Sequence, residues 1–140
     1  MTGSAHPPVV VVGVDGSPDS DTALAWAQGY ARANGALLQV VVAWHWPTSY
    51  GYPIGYDGYS PEADAQELAD KAVAGLDLPD ERVRTVVVEG FAGPTLVSVS
   101  EQADLLVVGC HGHGALSSVL LGSVSAHCVH HASVPVVIVR

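Results

Sequence analysis

Glycine and serine residues near the C-terminal end of the chain form the pattern best suited to chemistry. The stretch DLLVVGCHGHGALSSVLLGSVSAHC (104–128) contains the spacing Gly-x2-Gly-x9-Gly-Ser, formed by Gly109, Gly112, Gly122 and Ser123. Glycines permit positive φ angles and let backbone N–H groups approach a ligand without a Cβ in the way. N–H groups and the positive end of a helix dipole bind anions, so the stretch predicts a phosphate-binding loop without a lysine. Ser123 is predicted to cap the following helix and to donate its hydroxyl to a phosphate oxygen.

Other interpretations of these residues stay open. A Walker A loop would need Gly-Lys-Ser or Gly-Lys-Thr, and Ser117 stands where a GxGxxG fingerprint would need glycine. An ordinary strand-to-helix connection also explains the glycines, and the VDGS sequence suits Asp15 to a turn as well as to ligand contact. His127 and His131 share a helix face, but without an HExxH glutamate they indicate a helix surface rather than a zinc site. The sequence contains neither a GxSxG nucleophile elbow nor a cysteine and histidine at the spacing of a catalytic pair, so no catalytic residue is predicted.

The elements that must position these residues alternate between strand and helix. Short β-branched runs predict strands within 8–17, 36–46, 82–90, 104–109 and 134–140. Apolar residues at helical spacing predict helices at Ser17–Ala33, Ala63–Leu76, 92–103 (beginning at Pro94) and Ser123–Ala132. Residues 1–7 are predicted to be a flexible N-terminus, and residues 47–62 a variable surface loop. The alternation predicts a single-domain α/β fold: an open five-stranded parallel sheet with helices on both faces, and with ligands at the carboxyl ends of its strands.

Composition limits the classes of function. The chain has 140 residues, 49% of them hydrophobic, and 14 acidic against 5 basic residues, for a formal net charge of -9. Nucleic acid and anionic membranes are therefore not expected as partners. Cys110 and Cys128 are too few for a disulfide framework and are predicted to be inert residues in a reduced, cytoplasmic protein. We expect neither a signal peptide nor a membrane-crossing segment.

The glycine spacing resembles the ATP-binding signature of the universal stress protein family. Further agreement comes from VVVGVDGS at the first strand, DLLVVGCHGHG before the loop, LLGSVS after it and a final SVPVVIV. The resemblance extends from about Pro8 to Arg140 and implies a domain over 8–140 with a Rossmann-like fold of the adenine nucleotide alpha hydrolase type. It also implies binding of ATP together with Mg²⁺, held through the phosphates near Asp15.

The same resemblance implies a role for each residue of a nucleotide-binding set. The set comprises Gly13, Val14, Asp15, Ala43, Val108, Gly109, His111, Gly112, His113, Gly122, Ser123 and Val124. Gly13 and Val14 would form the wall under the nucleoside, Asp15 would lie beside the ribose or the phosphates, and Ala43 would meet adenine through its backbone. The glycines and Ser123 would surround the ribose and phosphates, with the N–H of Val124 beside them. Relatives often carry arginine where His111 and His113 stand, so the triphosphate would depend on N–H groups and a divalent cation.

For the whole protein, the resemblance implies a homodimer paired through residues 134–140. It further implies a nucleotide-sensing regulator of a stress response that acts on an unidentified regulatory protein. Three alternatives remain at this point: an interaction module that works without a nucleotide, a slow ATPase that uses Asp15 and a metal, and a site that prefers cyclic AMP or AMP. No enzyme activity beyond weak ATP hydrolysis is expected.

Overall fold

The computed structural model describes residues 6–49, 52–53, 58, 60–112 and 121–140. Strands occupy Val9–Gly13 (β1), Leu37–Trp44 (β2), Thr48–Ser49 (β3), Tyr52–Pro53 (β4), Val83–Glu89 (β5), Leu105–Gly109 (β6) and Val136–Val139 (β7). Helices occupy Pro18–Asn34 (α1), Pro61–Ala74 (α2), Ala92–Ser100 (α3) and Ser123–His131 (α4), and a 3-10 turn covers Asp80–Arg82.

The long strands form one parallel sheet in the order β5-β2-β1-β6-β7. β1 pairs with β2 on one side, Val9 opposite Leu37, and with β6 on the other, Val10 opposite Leu105. The predicted five-stranded parallel sheet is thus confirmed. Its strand order reverses between β1 and β6, and in open α/β sheets ligands bind in the crevice beyond such a reversal.

Helices cover both faces of the sheet, as predicted. Val10 and Val12 of β1 point to the face covered by α1 and α2, while Val11 points to the face covered by α3 and α4. The α1 side chains that meet the sheet are Ala23, Ala27 and Ala31, each fully buried, so the helix backbone lies close to the valines. Alternation of buried valine on both faces is what produces the continuous apolar runs of the sequence.

Polar groups hold the two ends of α1. Ser17 precedes the helix and its side chain accepts a hydrogen bond from the Ser20 N–H at 3.2 Å. Gly35 ends the helix in the left-handed conformation (φ 65°). The Arg82 guanidinium then donates to the carbonyl oxygens of Ala31 at 2.8 Å and Ala36 at 2.9 Å, which ties the end of α1 to the turn before β5.

Three predicted helix starts were wrong, two of them because a serine side chain caps the helix. Ser17 lies outside α1 as its N-cap. The α2 helix begins at Pro61 and not at Ala63, because the Ser60 side chain accepts from the Ala63 N–H. The α3 helix begins at Ala92, before Pro94, and follows Phe91, which makes no side-chain capping bond.

Several predicted boundaries also extended too far. Residues 61–62 of the predicted surface loop belong to α2, and the antiparallel pair β3–β4 lies within that loop. Most of its remainder, together with residues 1–5, falls outside the described residues. The predicted strands 36–46 and 134–140 shorten to β2 and β7. Among the described residues, no helix is long and apolar enough to cross a lipid bilayer.

The two edges of the sheet differ in character. β7 carries only valine and isoleucine, and all four of its residues are half-buried. β5, at the other edge, exposes Arg84, Thr85 and Glu89. The strand order places β7 at an edge of the sheet, which pairing through residues 134–140 would require.

Candidate functional site

A cavity of about 60 Å³ opens at the carboxyl ends of β1, β2 and β6, where the strand order reverses. Most of the residues predicted from the sequence line it: Gly13, Val14, Asp15, Ala43, Val108, Gly109, His111, Gly112 and Val124. The remaining lining residues, which sequence reasoning missed, are Ser17, Ser20, Val41, Ala92, Leu96 and Ser125. His113 lies outside the described residues, whereas Gly122 and Ser123 lie beside the cavity rather than in its wall.

Asp15 serves as a turn residue and as a cavity residue at the same time. Its Oδ1 accepts from the Ser17 N–H at 2.9 Å, and its own N–H donates to Ser20 Oγ at 3.3 Å. Its Oδ2 faces the glycine loop, since a Cβ on Gly112 would lie 2.9 Å from that oxygen. The turn interpretation of the VDGS sequence is therefore confirmed through Oδ1, while ligand contact through Oδ2 stays a prediction.

The loop glycines are required by close contacts and not by positive φ angles. Among the described glycines, φ is positive at Gly16, Gly35, Gly58 and Gly90, so the positive φ that glycine permits is not used at Gly109, Gly112 or Gly122. A Cβ on Gly109 would lie 2.7 Å from the carbonyl carbon and oxygen of Asp19. A Cβ on Gly122 would lie 3.3 Å from the carbonyl oxygen of Cys110. Gly109 and Gly122 therefore each remove a Cβ where two parts of the backbone meet.

The start of α4 fastens the two ends of the loop together. The Gly122 N–H donates to the Cys110 carbonyl at 2.8 Å. The buried Ser125 hydroxyl lies 2.8 Å from the same carbonyl and 3.1 Å from that of Gly122. The predicted cap at Ser123 was wrong, because Gly122 occupies the N-cap position and Ser123 is the exposed first residue of the helix.

Asp19 contacts the first residues of the loop, and sequence reasoning missed it. The His111 N–H donates to Asp19 Oδ2 at 3.0 Å, and the same oxygen lies 3.1 Å from His111 Nδ1. Both side chains are partly buried, with 23% of His111 and 31% of Asp19 exposed. One backbone donor of the loop is thus bound by a carboxylate of the protein itself.

The polar character of the cavity comes from hydroxyls, backbone groups and one carboxylate. None of the chain's lysine or arginine residues is among the described residues that line it. Ser17, Ser20 and Ser125 supply hydroxyls, while Val41, Ala43 and Leu96 supply apolar wall. This combination suits a ligand with a flat apolar part and a polar part.

Metal and thiol chemistry receive little support from the described residues. No group of three or more His, Cys, Asp or Glu side chains within them is placed to hold a metal ion. The rings of His127 and His131 lie with centroids 4.4 Å apart on α4. Cys110 and Cys128 are both buried, as predicted for inert residues, and burial raises the pKa of the Cys128 thiol from 9.0 to about 11.

A larger groove of about 500 Å³ lies elsewhere, between α2 and the first half of β5. It is lined by side chains such as Asp70, Leu76 and Thr85. We prefer the smaller cavity as the functional site because it lies at the carboxyl ends of the strands, where the order of the sheet reverses. The groove lies near the start of β5, at the end of the sheet away from the carboxyl ends of the strands.

Comparison with known proteins identifies the family. A sequence profile described as the universal stress protein family matches residues 8–140. A universal stress protein of Mycobacterium tuberculosis strain H37Rv is 40% identical over 137 residues, which cover 96% of this chain and 46% of that protein. The chain therefore spans about half the length of the curated relatives it matches.

Solved structures agree in fold. The universal stress protein UspA from Lactobacillus plantarum superposes with a TM-score of 0.72 at 22% identity, covering 98% of this chain and 100% of that one. A universal stress protein solved in complex with cAMP has a TM-score of 0.67 at 31% identity, covering 97% of this chain and 98% of that one. From the match of the family profile, the relatives and the shared fold, we conclude that the chain belongs to the universal stress protein family.

Proposed function

We propose that the chain binds an adenine nucleotide, with ATP as the physiological ligand, in the cavity at the carboxyl ends of β1, β2 and β6. One observation carries the proposal: the Gly-x2-Gly-x9-Gly-Ser segment begins at the cavity wall formed by Gly109 and returns to it at Val124. Strand reversals of this kind are where open α/β sheets bind nucleotides. Further support is the family member of 31% identity that was solved with cAMP.

The lining residues suit the separate parts of a nucleotide. Val41, Ala43 and Leu96 offer an apolar wall to the base, with the backbone of Ala43 to recognise its edge. Gly13 and Val14 would support the nucleoside. Backbone N–H groups of the glycine loop and of the first turn of α4, including Ser123 and Val124, would meet the phosphates.

A divalent cation fits the same site. Asp15 Oδ2 faces the loop at Gly112, and carboxylate oxygens together with phosphate oxygens are the ligands that Mg²⁺ prefers. When bound, Mg²⁺ would neutralise part of the phosphate charge. Asp15 would hold the cation on the side of the cavity formed by the turn after β1.

Cyclic AMP is the second candidate ligand. The family member solved with cAMP is more similar in sequence than the Lactobacillus protein, at 31% against 22% identity. The described wall of the cavity also lacks lysine and arginine, which favours an anion of low charge. AMP is the related alternative.

We further propose that the domain over 8–140 acts in the cytoplasm as a nucleotide-sensing regulator of a stress response. It would form a homodimer through residues 134–140, because β7 presents an apolar, half-buried edge that a second copy could cover. Nucleotide binding would change the surface that the domain offers to a regulatory protein. The proposal includes no catalytic residue.

The test is native mass spectrometry of the purified protein, followed by calorimetric titration with ATP, AMP and cAMP. Gly122→Asp places a carboxylate at the start of α4, and its Cβ would lie 3.3 Å from the Cys110 carbonyl oxygen. We expect this variant to lose affinity at least about tenfold, since it introduces repulsion of an anion at the helix N-terminus. Ser133→Asp is the matched control, because it adds the same charge at an exposed position after α4.

The variants distinguish binding from a nucleotide-independent role. Loss of affinity in Gly122→Asp with retention in Ser133→Asp, both with unchanged circular dichroism, supports the proposed site. A wild-type protein that carries no nucleotide and binds none of the three would instead favour an interaction module that works without one.

A further inference from the structure

We infer that Asp19 sets how much negative charge the nucleotide site accepts, because its carboxylate competes with phosphate for a backbone donor of the glycine loop. The inference rests on the proposed nucleotide binding and deepens it: Asp19 is a positioning residue that makes the site favour adenine ligands of low charge when no divalent cation is present. Family resemblance assigned no role to Asp19.

The contact is specific to the part of the loop that borders the cavity. His111 lines the cavity, but its N–H donates to Asp19 Oδ2 at 3.0 Å. The same oxygen lies 3.1 Å from His111 Nδ1, so the side chain and the backbone of one loop residue are held together. A phosphate can use this N–H only after the Asp19 contact is broken.

Asp19 has little freedom to withdraw from the loop. Its backbone lies in the first turn of α1, and its carbonyl group is 2.7 Å from where a Gly109 Cβ would stand. The helix start is fixed by Ser17, whose side chain accepts from the Ser20 N–H. With the helix start held in this way, rotation of the Asp19 side chain would free the His111 N–H but would leave the carboxylate near the phosphate.

The surrounding charges make this competition depend on the ligand's charge. Asp15 presents a second carboxylate to the same loop at Gly112. Among the described residues, no lysine or arginine lines the cavity to offset the two acids. ATP brings several negative charges, cAMP brings one and adenosine brings none, so the repulsion from Asp19 should increase along that series.

The experiment compares Asp19→Asn with the wild type across this series. Asparagine keeps an oxygen that can accept from the His111 N–H and removes the negative charge. Titrations with adenosine, cAMP, AMP and ATP are run in EDTA, at about 50 mM and about 500 mM salt. We expect Asp19→Asn to bind ATP about fivefold more tightly at low salt, the effect of one partly exposed charge, and to leave adenosine within about twofold.

Asp21→Asn is the matched control. Asp21 lies in the same helical turn and is exposed, so the substitution changes net charge equally at a position away from the His111 contact. It should change the ATP affinity by less than about twofold, and the Asp19→Asn gain should shrink at high salt. If Asp19→Asn does not fold, as judged by its melting curve, Asp19→Ser goes through the same series.

The outcomes separate this inference from the proposed function. An equal change for all four ligands, or weaker ATP binding in Asp19→Asn, would mean that Asp19 only supports the loop structurally, and the inference would be overturned. A wild-type protein that binds none of the four ligands would overturn the proposed function itself, and the inference with it.

Discussion

Replacing Gly109 with alanine tests the close approach of β6 to α1, on which the shape of the cavity depends. The new Cβ would lie 2.7 Å from the carbonyl carbon and oxygen of Asp19 and 3.0 Å from its Cβ. The two nearer atoms belong to helix backbone and cannot rotate away, so the strand end or the helix start must move. Overpacking of this kind lowers the free energy of unfolding by about 1–3 kcal/mol.

Gly29→Ala, in the α1 helix that Gly109 approaches, is expected to raise the free energy of unfolding instead. A Cβ at Gly29 meets no heavy atom within 4 Å, and alanine favours helix over glycine by roughly 0.5–1 kcal/mol. Urea unfolding followed by circular dichroism measures both variants under identical conditions. Gly109→Ala should shift the midpoint to lower urea and Gly29→Ala to higher urea.

The Gly109 variant should also bind nucleotide less well, because displacement of the first turn of α1 moves Asp19 and the loop contact at His111. If the free energy of unfolding of Gly109→Ala lies within about 0.5 kcal/mol of the wild-type value, the reasoning is refuted. Changes that small are typical of surface substitutions and not of a side chain that collides with backbone. The same conclusion would follow if both alanine variants changed stability in the same direction and by the same amount.

Two further predictions concern the core and the sheet edge. Burial raises the pKa of Cys128 from 9.0 to about 11, so the unfolded thiol ionises before the folded one. The free energy of unfolding is therefore unaffected well below pH 9 and falls as pH rises through 9 and toward 11, by up to roughly 2–3 kcal/mol. Urea titrations across this range should show a loss that is absent in Cys128→Ala; parallel curves for the two proteins would contradict it. Val137 packs against the core under α1, so Val137→Lys should lower the urea midpoint as well as convert the proposed homodimer to a monomer in light scattering, whereas Thr85→Lys, at an exposed position of β5, should do neither. A monomeric wild type would disprove the pairing.

The pattern of apolar residues was sufficient to predict the architecture. Continuous valine runs, such as Val9–Gly13, can be buried only in a sheet covered on both faces, and helical spacing of small residues such as Ala23 and Ala27 predicts the covering helices. Helix starts were predicted less accurately. Ser60 can be read as a cap from the sequence, but Phe91 offers no capping side chain, so nothing local marks the start of α3.

The site was predicted only in part, for a physical reason. Glycine spacing identifies where backbone must come close, but it does not say whether a ligand or another part of the protein is the neighbour. At Gly109 the neighbour is Asp19, which precedes the loop by about ninety residues, and its contact with His111 spans 92 positions. In the sequence, Asp19 is an ordinary acid in a first helical turn. Only the fold brings it to the loop.

The unequal edges of the sheet have a consequence for how copies of this chain can associate. The backbone of the apolar β7 edge could pair with a strand of a second copy, whereas a strand added at the β5 edge would meet the charged side chains of Arg84 and Glu89. If two copies pair through this one edge about a two-fold axis, the edge of each copy is occupied by the other. No third copy can then be added in the same way, so the assembly ends at two subunits. In the proposed homodimer, the charged side chains on β5 would therefore oppose further growth of the sheet into fibres.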